Sequence, residues 1–594
     1  IAEARQLLGP AFRGFVMLGG MSGGGMGFWV DPAEKPRARE LLLDLMRRTK
    51  RDLQHALPFA MDPVVYDFTV NPHGTHAQLL TDDRALFSPE YYLHRVPGWV
   101  RQDPRTLPDA ARRDLERFLA RHLGTANNSA LSGALLQRLF PPQAVAGSSS
   151  RAGQSLRELL DENGFDPLQH EQIRADLLAG RIGMPQNRLP VSATVEDVRP
   201  GDVVPMYSPD AADAARGAEL LRSGAVAVVT LAAGAGSRWT QGAGTVKALH
   251  PFAKLGGRHR SFLEVHLAKS RRAGRTAGCE VPHLFTTSHL THEPIRAFLE
   301  KHQNFGYTGP LLLSPGRSIG LRMIPTARDL RFQWEETAHQ VLDVQQEKMR
   351  QSLRKALLDW AVKTGEGRDY TDNLPLQCLH PVGHWFEIAN LLRNGVLRDL
   401  LRDRPQLKHL LLHNIDTLGA DLDPAVLGRH DREARPLAIE VIRRRLEDRG
   451  GGLARVGGQL RLVEGMALAR EEDEFKLTFY NTLTCWIAID PLLALFGLDR
   501  AALADADRVA AAVRTLAARM PTYVTLKDVK KRWGNGQEDI FPVLQWEKLW
   551  GDMTTLPEAN TLFLAVPRQR GQQLKEQAQL DGWLRDGSAA YIEN

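Results

Sequence analysis

Apolar and polar positions change their period several times along this chain, and each change marks an element. Residues 226–231, VAVVTL, are a continuous apolar run of strand length, the pattern of a strand buried on both faces. Residues 281–288 and 407–413 repeat that pattern. Between the runs, apolar residues recur at helical spacing and predict helices near 211–221, 261–272, 289–302 and 388–401. This alternation predicts an α/β core over residues 211–500, Rossmann-like, with a mixed, mostly parallel sheet flanked by helices. Residues 154–210 read as a helical leader. From 501 to 594 the pattern predicts a mostly helical C-terminal region, clearest over 501–518. Residues 1–140 predict a smaller α+β unit: a strand at 12–18, a glycine-rich stretch at 19–27, a strand at 28–30 and an amphipathic helix over 37–57. The Pro-, Gly- and Ser-rich residues 141–153 read as a linker.

Composition narrows the function classes. With 594 residues the chain is too long for one core, so several domains are expected. The formal charge is +6 with the basic residues scattered, which suits an enzyme for phosphorylated anions better than a nucleic-acid groove. No apolar run is long enough to span a bilayer, so no membrane partner is expected. Cys279, Cys378 and Cys485 are far apart without CxxC spacing, which argues against a disulfide framework or zinc site and for a reducing cytoplasm. His73 and His76 lie near a turn without a carboxylate at ligand spacing. The chain opens Ile1-Ala2-Glu3, without an initiator methionine or signal peptide, and is expected to be a piece of something longer.

Candidate chemistry begins where the 226–231 run ends. Ala232, Ala233, Gly234, Ala235, Gly236 and Ser237 follow without a bulky side chain, so backbone N–H groups there can approach a phosphate closely. Arg238, Gly242, Gly244 and Lys247 come next, and the lysine can reach back to the same charge. There is no GK[ST] and no clean GxGxxG, so ATPase and dinucleotide readings are weak. The segment resembles the signature loop of sugar-nucleotide pyrophosphorylases, L-x-x-G-x-G-[ST]-R with a downstream lysine. Later segments narrow the resemblance to the UTP–glucose-1-phosphate and UDP-N-acetylhexosamine uridylyltransferase family. It spans roughly residues 180–590.

His380-Pro381-Val382-Gly383-His384 resembles that family's P-P-G-H-G-D, where Gly and His contact the nucleotide; Trp385-Phe386 replace the Gly-Asp. Asn414-Ile415-Asp416-Thr417-Leu418-Gly419-Ala420 resembles [SN]-N-x-D-N-L-G-A. A carboxylate at the C-terminal edge of such a sheet suits Mg²⁺, which binds through one or two carboxylates plus substrate phosphates, and makes Asp416 the metal candidate. Glu440 with Gly450-Gly451 resembles a segment near the family's sugar pocket. Asn481, Thr482 and Trp486 resemble F-N-T-N-N-x-W, with Leu483-Thr484 in place of asparagines that serve sugar hydroxyls. Residues 311–317 fall on Q-x-x-x-P-R without the glutamine. Residues 566–575 track V-P-R-x-R-F-x-P-V-K and put Lys575 on a second phosphate-binding lysine. The strand, glycine loop, strand, helix order at the N-terminus resembles the end of a GHMP-type sugar kinase.

The resemblance implies in-line attack by a sugar 1-phosphate oxygen on the α-phosphorus of UTP, releasing pyrophosphate. Positioning and charge neutralisation would carry the catalysis. Residues 232–237, Gly383, His384 and Asn414 would bind the nucleotide, Arg238, Lys247 and Lys575 would neutralise phosphates, and Asp416 would hold Mg²⁺. Glu440, Gly451, Asn481 and Thr482 would face the sugar. The departures from the family motifs motivate a second reading, a non-catalytic nucleotide-sugar-binding or scaffold member. The kinase-like start motivates fusion to, or pairing with, a sugar kinase. The sugar, the nucleotide beyond the resemblance and the oligomeric state stay open at this point.

Overall fold

A computed structural model describes residues 1–18, 25–53, 62–66, 92, 95, 96, 99, 107–122, 155–208, 210–234, 236, 239, 246–336, 344–532 and 538–593. The expected linker, most of the glycine-rich stretch at 19–27 and the pair His73 and His76 lie outside the described residues.

Eleven strands form one sheet: β1 (Val195–Glu196), β2 (Val204–Pro205), β3 (Val226–Leu231), β4 (His283–Thr287), β5 (Leu311–Pro315), β6 (His409–Asn414), β7 (Leu437–Arg443), β8 (Gly452–Val456), β9 (Gln459–Val463), β10 (Phe479–Ala488) and β11 (Leu562–Ala565). Their spatial order is β2-β11-β7-β10-β6-β3-β4-β5, with β8 joined to β10 and carrying β9 and β1. Strand β10 runs antiparallel to β7 and β6, and every other pairing on that path is parallel. The apolar run 226–231 explains itself here, since all six residues of β3 are buried. Ala227, Val229 and Leu231 pack with Trp385, Phe386, Leu410 and Leu412 on one face. Val226 and Val228 pack with Leu221, Leu411 and Leu427 on the other, as the two-residue period of a strand requires.

The helices that bear on the site are α1 (Ala211–Arg222), α2 (Phe262–Ala277), α3 (Trp385–Arg393), α4 (Val396–Asp403) and α5 (Pro424–Glu433). Asp210 caps α1 by accepting from the Ala212 N–H, and Ser261 caps α2 by accepting from the Glu264 N–H. Helices α1 and α5 cross backbone to backbone. A Cβ on Gly217 would overlap the Pro424 carbonyl, and one on Gly428 would overlap the Asp213 carbonyl. The single helix expected over 388–401 is two, because Gly395 takes a left-handed φ of 77° between α3 and α4. None of the described helices is long and apolar enough to cross a membrane.

The expectation of a mostly helical region after residue 500 is corrected. Helix Ala506–Ala518 is followed by a ten-residue hairpin pair, Tyr523–Arg532 with Glu538–Glu547, and then by β11, which lies inside the central sheet between β7 and β2. At the N-terminus, Phe12–Leu18 pairs antiparallel with Gly25–Val30 ahead of helix Lys35–Leu53.

Candidate active site

Leu231 at the end of β3 pairs with Asn414 at the end of β6 and with Thr286 near the end of β4. The loops after all three parallel strands therefore leave from one edge. Chain order runs from β3 to β4 on one side while β6 lies on the other, so the order reverses between β3 and β6. That is where ligands of open α/β sheets bind.

Lys247 and Asp416, 169 positions apart, meet at this edge: the Lys247 Nζ donates to Asp416 Oδ2 at 2.8 Å. Their side chains are 7% and 13% exposed. Nζ also donates to the Leu574 carbonyl at 2.6 Å and lies 5.4 Å from the ring centres of Trp239 and Phe262. The Leu574 N–H in turn donates to the Asp416 carbonyl at 3.0 Å. Gly236, at φ 76°, backs directly onto Lys247, and a Cβ there would overlap the lysine's own Cβ. The glycine loop, the lysine, the N-x-D turn and the C-terminal segment are thus brought together.

The other Asp416 oxygen, Oδ1, is buried and has no hydrogen-bond partner among the described residues. No cluster of three or more His, Cys, Asp or Glu set to hold a metal occurs among those residues. A lone carboxylate with one open oxygen suits Mg²⁺ shared with substrate phosphates, and does not suit a cage of protein ligands. Ala235, Ser237 and Arg238 lie outside the described residues. The Ala232 N–H is already engaged, donating to the Thr286 carbonyl at 3.1 Å.

The C-terminal segment owes its position to two arginines. Arg568 donates to both Asp448 oxygens, at 2.7 and 2.8 Å, and Arg570 donates to both Glu440 oxygens, each at 2.8 Å. Glu440 also accepts from Trp486 Nε1 and is completely buried. It therefore lies beneath the site as an anchor. Thr482 is buried too and donates to the Glu440 carbonyl. Asn481 accepts from the Leu483 N–H, holding a bulge in β10 where Leu483 sits at φ 57°. Gly451 packs against the Val463 carbonyl and the Glu464 carboxylate. Lys575 lies 5.7 Å from the Tyr480 ring centre, and its charge bears on both His384 and Glu464. His384 accepts from the Trp550 N–H through Nδ1, and burial holds it at about 4. Gly383, at φ 93°, makes room for the Lys548 backbone.

Three carboxyl groups at this edge were not singled out from the sequence. Glu464, just past β9, is pushed by burial up to about 7, and Asp552 beside it to about 8. Tyr523 donates to Asp552 Oδ1 at 3.1 Å, and Oδ2 is buried without a partner among the described residues. Glu387, in the first turn of α3, is likewise raised to about 7 by burial. Its only sequence signal was a carboxylate three residues after Gly-His.

Residues 367–504, which hold Gly383, His384, Asn414, Asp416, Glu440 and Asn481, match a family model. That family is UTP–glucose-1-phosphate uridylyltransferase. No curated protein matches the chain. Among solved structures, the UDP-glucose phosphorylase of Trypanosoma brucei is similar at 18% identity, over 71% of this chain and 75% of that one, with a TM-score of 0.47. The UDP-glucose pyrophosphorylase of Leishmania major is similar at 16%, over 72% and 78%, with a TM-score of 0.47. The UDP-N-acetylglucosamine pyrophosphorylase of T. brucei is similar at 15%, over 77% and 84%, again at 0.47.

Under the Asn414–Asp416 turn runs a buried hydrogen-bonded chain. Its contacts order consistently as Ser270 O–H to His283 Nδ1 (2.7 Å), His283 Nε2–H to Thr230 Oγ1 (3.0 Å), Thr230 O–H to His413 Nε2 (3.1 Å) and His413 Nδ1–H to the Asn414 carbonyl (3.0 Å). His266 donates to the Ile415 carbonyl at 2.9 Å. Burial keeps these rings neutral, with His413 held at about 3 and His266 and His283 well below 6.5. His380 and His430 are buried in the same way, at about 3 and about 4.

Each of these histidines is neutral in the fold, while the unfolded chain takes up a proton near 6.5. Its contribution is whole above that pH and is lost as pH falls toward the folded value, at about 1.4 kcal/mol per pH unit. Asp552, Glu464 and Glu387 act in the opposite sense, losing their contribution as pH rises from about 4 toward 7 or 8. Five buried histidines outweigh one buried and two half-buried carboxyls. Urea unfolding should therefore give a stability roughly 2–5 kcal/mol lower at pH 5 than at pH 7; equal stability at the two pH values would contradict the assignment.

Proposed function

We propose that this chain is a nucleotidyltransferase that forms a UDP-sugar and pyrophosphate from UTP and a sugar 1-phosphate. The observation that carries the reading is the Lys247–Asp416 pair at the sheet's reversal point, clamped by Leu574 with Lys575 as the next residue. The family match over residues 367–504 supports it. A phosphate oxygen of the sugar 1-phosphate attacks the α-phosphorus of UTP, the bond to the bridging β-phosphate oxygen breaks, and pyrophosphate leaves. The charge already resides on the substrates, so no protein nucleophile is needed. Lys247 neutralises phosphate charge from a fixed, largely desolvated position, where a cation is worth more than in water. Lys575 approaches from the C-terminal segment and orients the second phosphate. Asp416 would hold Mg²⁺ through Oδ1, and the bound ion would supply further charge neutralisation.

A second reading is favoured by one observation. Trp385 and Phe386 are buried core residues where the resembling family carries Gly-Asp, which fits a protein that binds a nucleotide sugar without turnover. The kinase-like start of the sequence motivates fusion to, or pairing with, a sugar kinase, which would supply the sugar 1-phosphate. We place the protein in the cytoplasm, with no nucleic-acid partner.

The deciding experiment is pyrophosphate release with Mg²⁺, UTP and a panel of sugar 1-phosphates. Release with one sugar establishes the reaction and names the substrate. UTP binding without release from any pair would leave the non-catalytic reading in its place.

A further inference from the structure

The candidate site has two ends of different charge. Lys247 and Lys575 make one end cationic. At the other, the Glu387 carboxyl group, half-buried in the first turn of α3, accepts from Thr286 Oγ1 near the end of β4 and lies close to the Ala233 backbone in the loop after β3. It lies beside a loop that the sequence assigned to a phosphate. No charged group among the described residues acts on it. From β4 and its loop the facing groups are Thr286 and Ser288, the latter donating to the Ala233 carbonyl at 2.7 Å. At the N-cap of α3, one turn back, His384 stays neutral and feels the charge of Lys575, which does not act on Glu387. A phosphate placed against this acid would meet an acceptor and no cation, so this end suits the uncharged part of a nucleotide.

We propose that Glu387 reads the base of the bound nucleotide, its carboxyl group pairing side by side with a base edge that presents an N–H next to a carbonyl, as uracil does. The inference rests on the nucleotidyl-transfer reading of the loop. In the acid form, the carboxyl C=O accepts from the base N–H and its O–H donates to the adjacent base carbonyl, the same donor and acceptor pair that a glutamine amide offers. Thr286 holds the group before the base arrives, so less ordering remains for binding to impose. Burial, which raises Glu387 to about 7, keeps much of the acid form present near neutrality. Above that pH the carboxylate would face the base carbonyl without its proton, and pairing weakens.

The test is calorimetric titration with UTP and, separately, with inorganic tripolyphosphate, which carries the phosphates without the base. In wild type, UTP affinity should fall at least fivefold between pH 6 and pH 8 relative to that of tripolyphosphate. Glu387→Ala should weaken UTP at least tenfold at pH 6.5 and leave tripolyphosphate within twofold. Glu387→Gln should bind UTP within about threefold of wild type and lose the pH dependence, since its amide neither gains nor loses a proton in this range. Parallel loss of UTP and tripolyphosphate in Glu387→Ala would show a merely structural role and overturn the proposal. So would unchanged UTP affinity in that variant, and if wild type still releases pyrophosphate, the transfer reading survives that result. Absence of release from wild type with every sugar removes the transfer reading itself, whatever Glu387 does.

Discussion

Lys247→Ala should lower pyrophosphate release by about a thousandfold or more, the scale at which a preorganised charge-stabilising donor in a water-poor site acts. The lysine is held by Asp416, by the Leu574 carbonyl and by the aromatic faces of Trp239 and Phe262, so its ammonium does not reorganise when charge develops on the leaving group. Removing it also leaves Asp416 in a buried position without its cation, which costs about 3–5 kcal/mol when a buried pair is broken. Lost activity alone would then be ambiguous. Combining Lys247→Ala with Asp416→Asn separates the two effects, because it keeps the shape and removes the carboxylate left without its cation, so stability should return while release does not. Urea midpoints and release rates measured on both variants decide the matter. A Lys247→Ala protein that is folded and retains a tenth of wild-type release would remove Lys247 from the mechanism.

The parts of this fold that could be read beforehand were those in which one chemistry governs a whole stretch. β3 is six apolar residues ending in small ones, and both its burial and its loop follow from that alone. The helices before and after it follow the helical spacing near 211–221 and 261–272 and form as Ala211–Arg222 and Phe262–Ala277. β11 was not legible. Four residues, LFLA, have no period to measure, and the strand exists because β7 and β2 supply its hydrogen bonds from far away in the chain. Strand Tyr523–Arg532 mixes Val524, Leu526 and Val529 with Thr525 and three lysines, and it becomes a strand through its pairing with Glu538–Glu547.

The site divides in the same way. Lys247 and Asp416, put forward from spacing and motif order, meet at the sheet edge, and Lys575 follows Leu574, whose carbonyl Lys247 contacts. Glu440 was placed near the sugar, but Arg570 holds it under the sheet's edge; only the fold brings a residue 130 positions away onto it. Glu464 and Asp552 carry no local pattern, and Glu387 only its place three residues after Gly-His. Each acquires its character from burial, a property of the assembled structure.

Arg570→Ala should destabilise the protein by about 3–5 kcal/mol, comparable to breaking any buried ion pair from one side. Arg570 is 3% exposed and Glu440 0%, and the guanidinium meets both carboxylate oxygens through Nε and Nη2, with Nη2 also donating to the Asp421 carbonyl. The variant leaves the Glu440 carboxylate with Trp486 as its side-chain donor, in a place where water does not reach. Replacing both partners, Arg570→Met with Glu440→Leu, removes the uncompensated charge and should recover most of the stability, since apolar substitutes for a buried pair are often neutral or better. Activity should not recover with it. The arginine fork fixes the segment that carries Leu574 onto Lys247 and places Lys575 over Tyr480, and methionine has no directional contact with which to hold that register. Unfolding free energies and release rates on the single and double variants should therefore part company. If the double variant regained both stability and activity, the pair would be filling space in the core with no part in positioning the lysines.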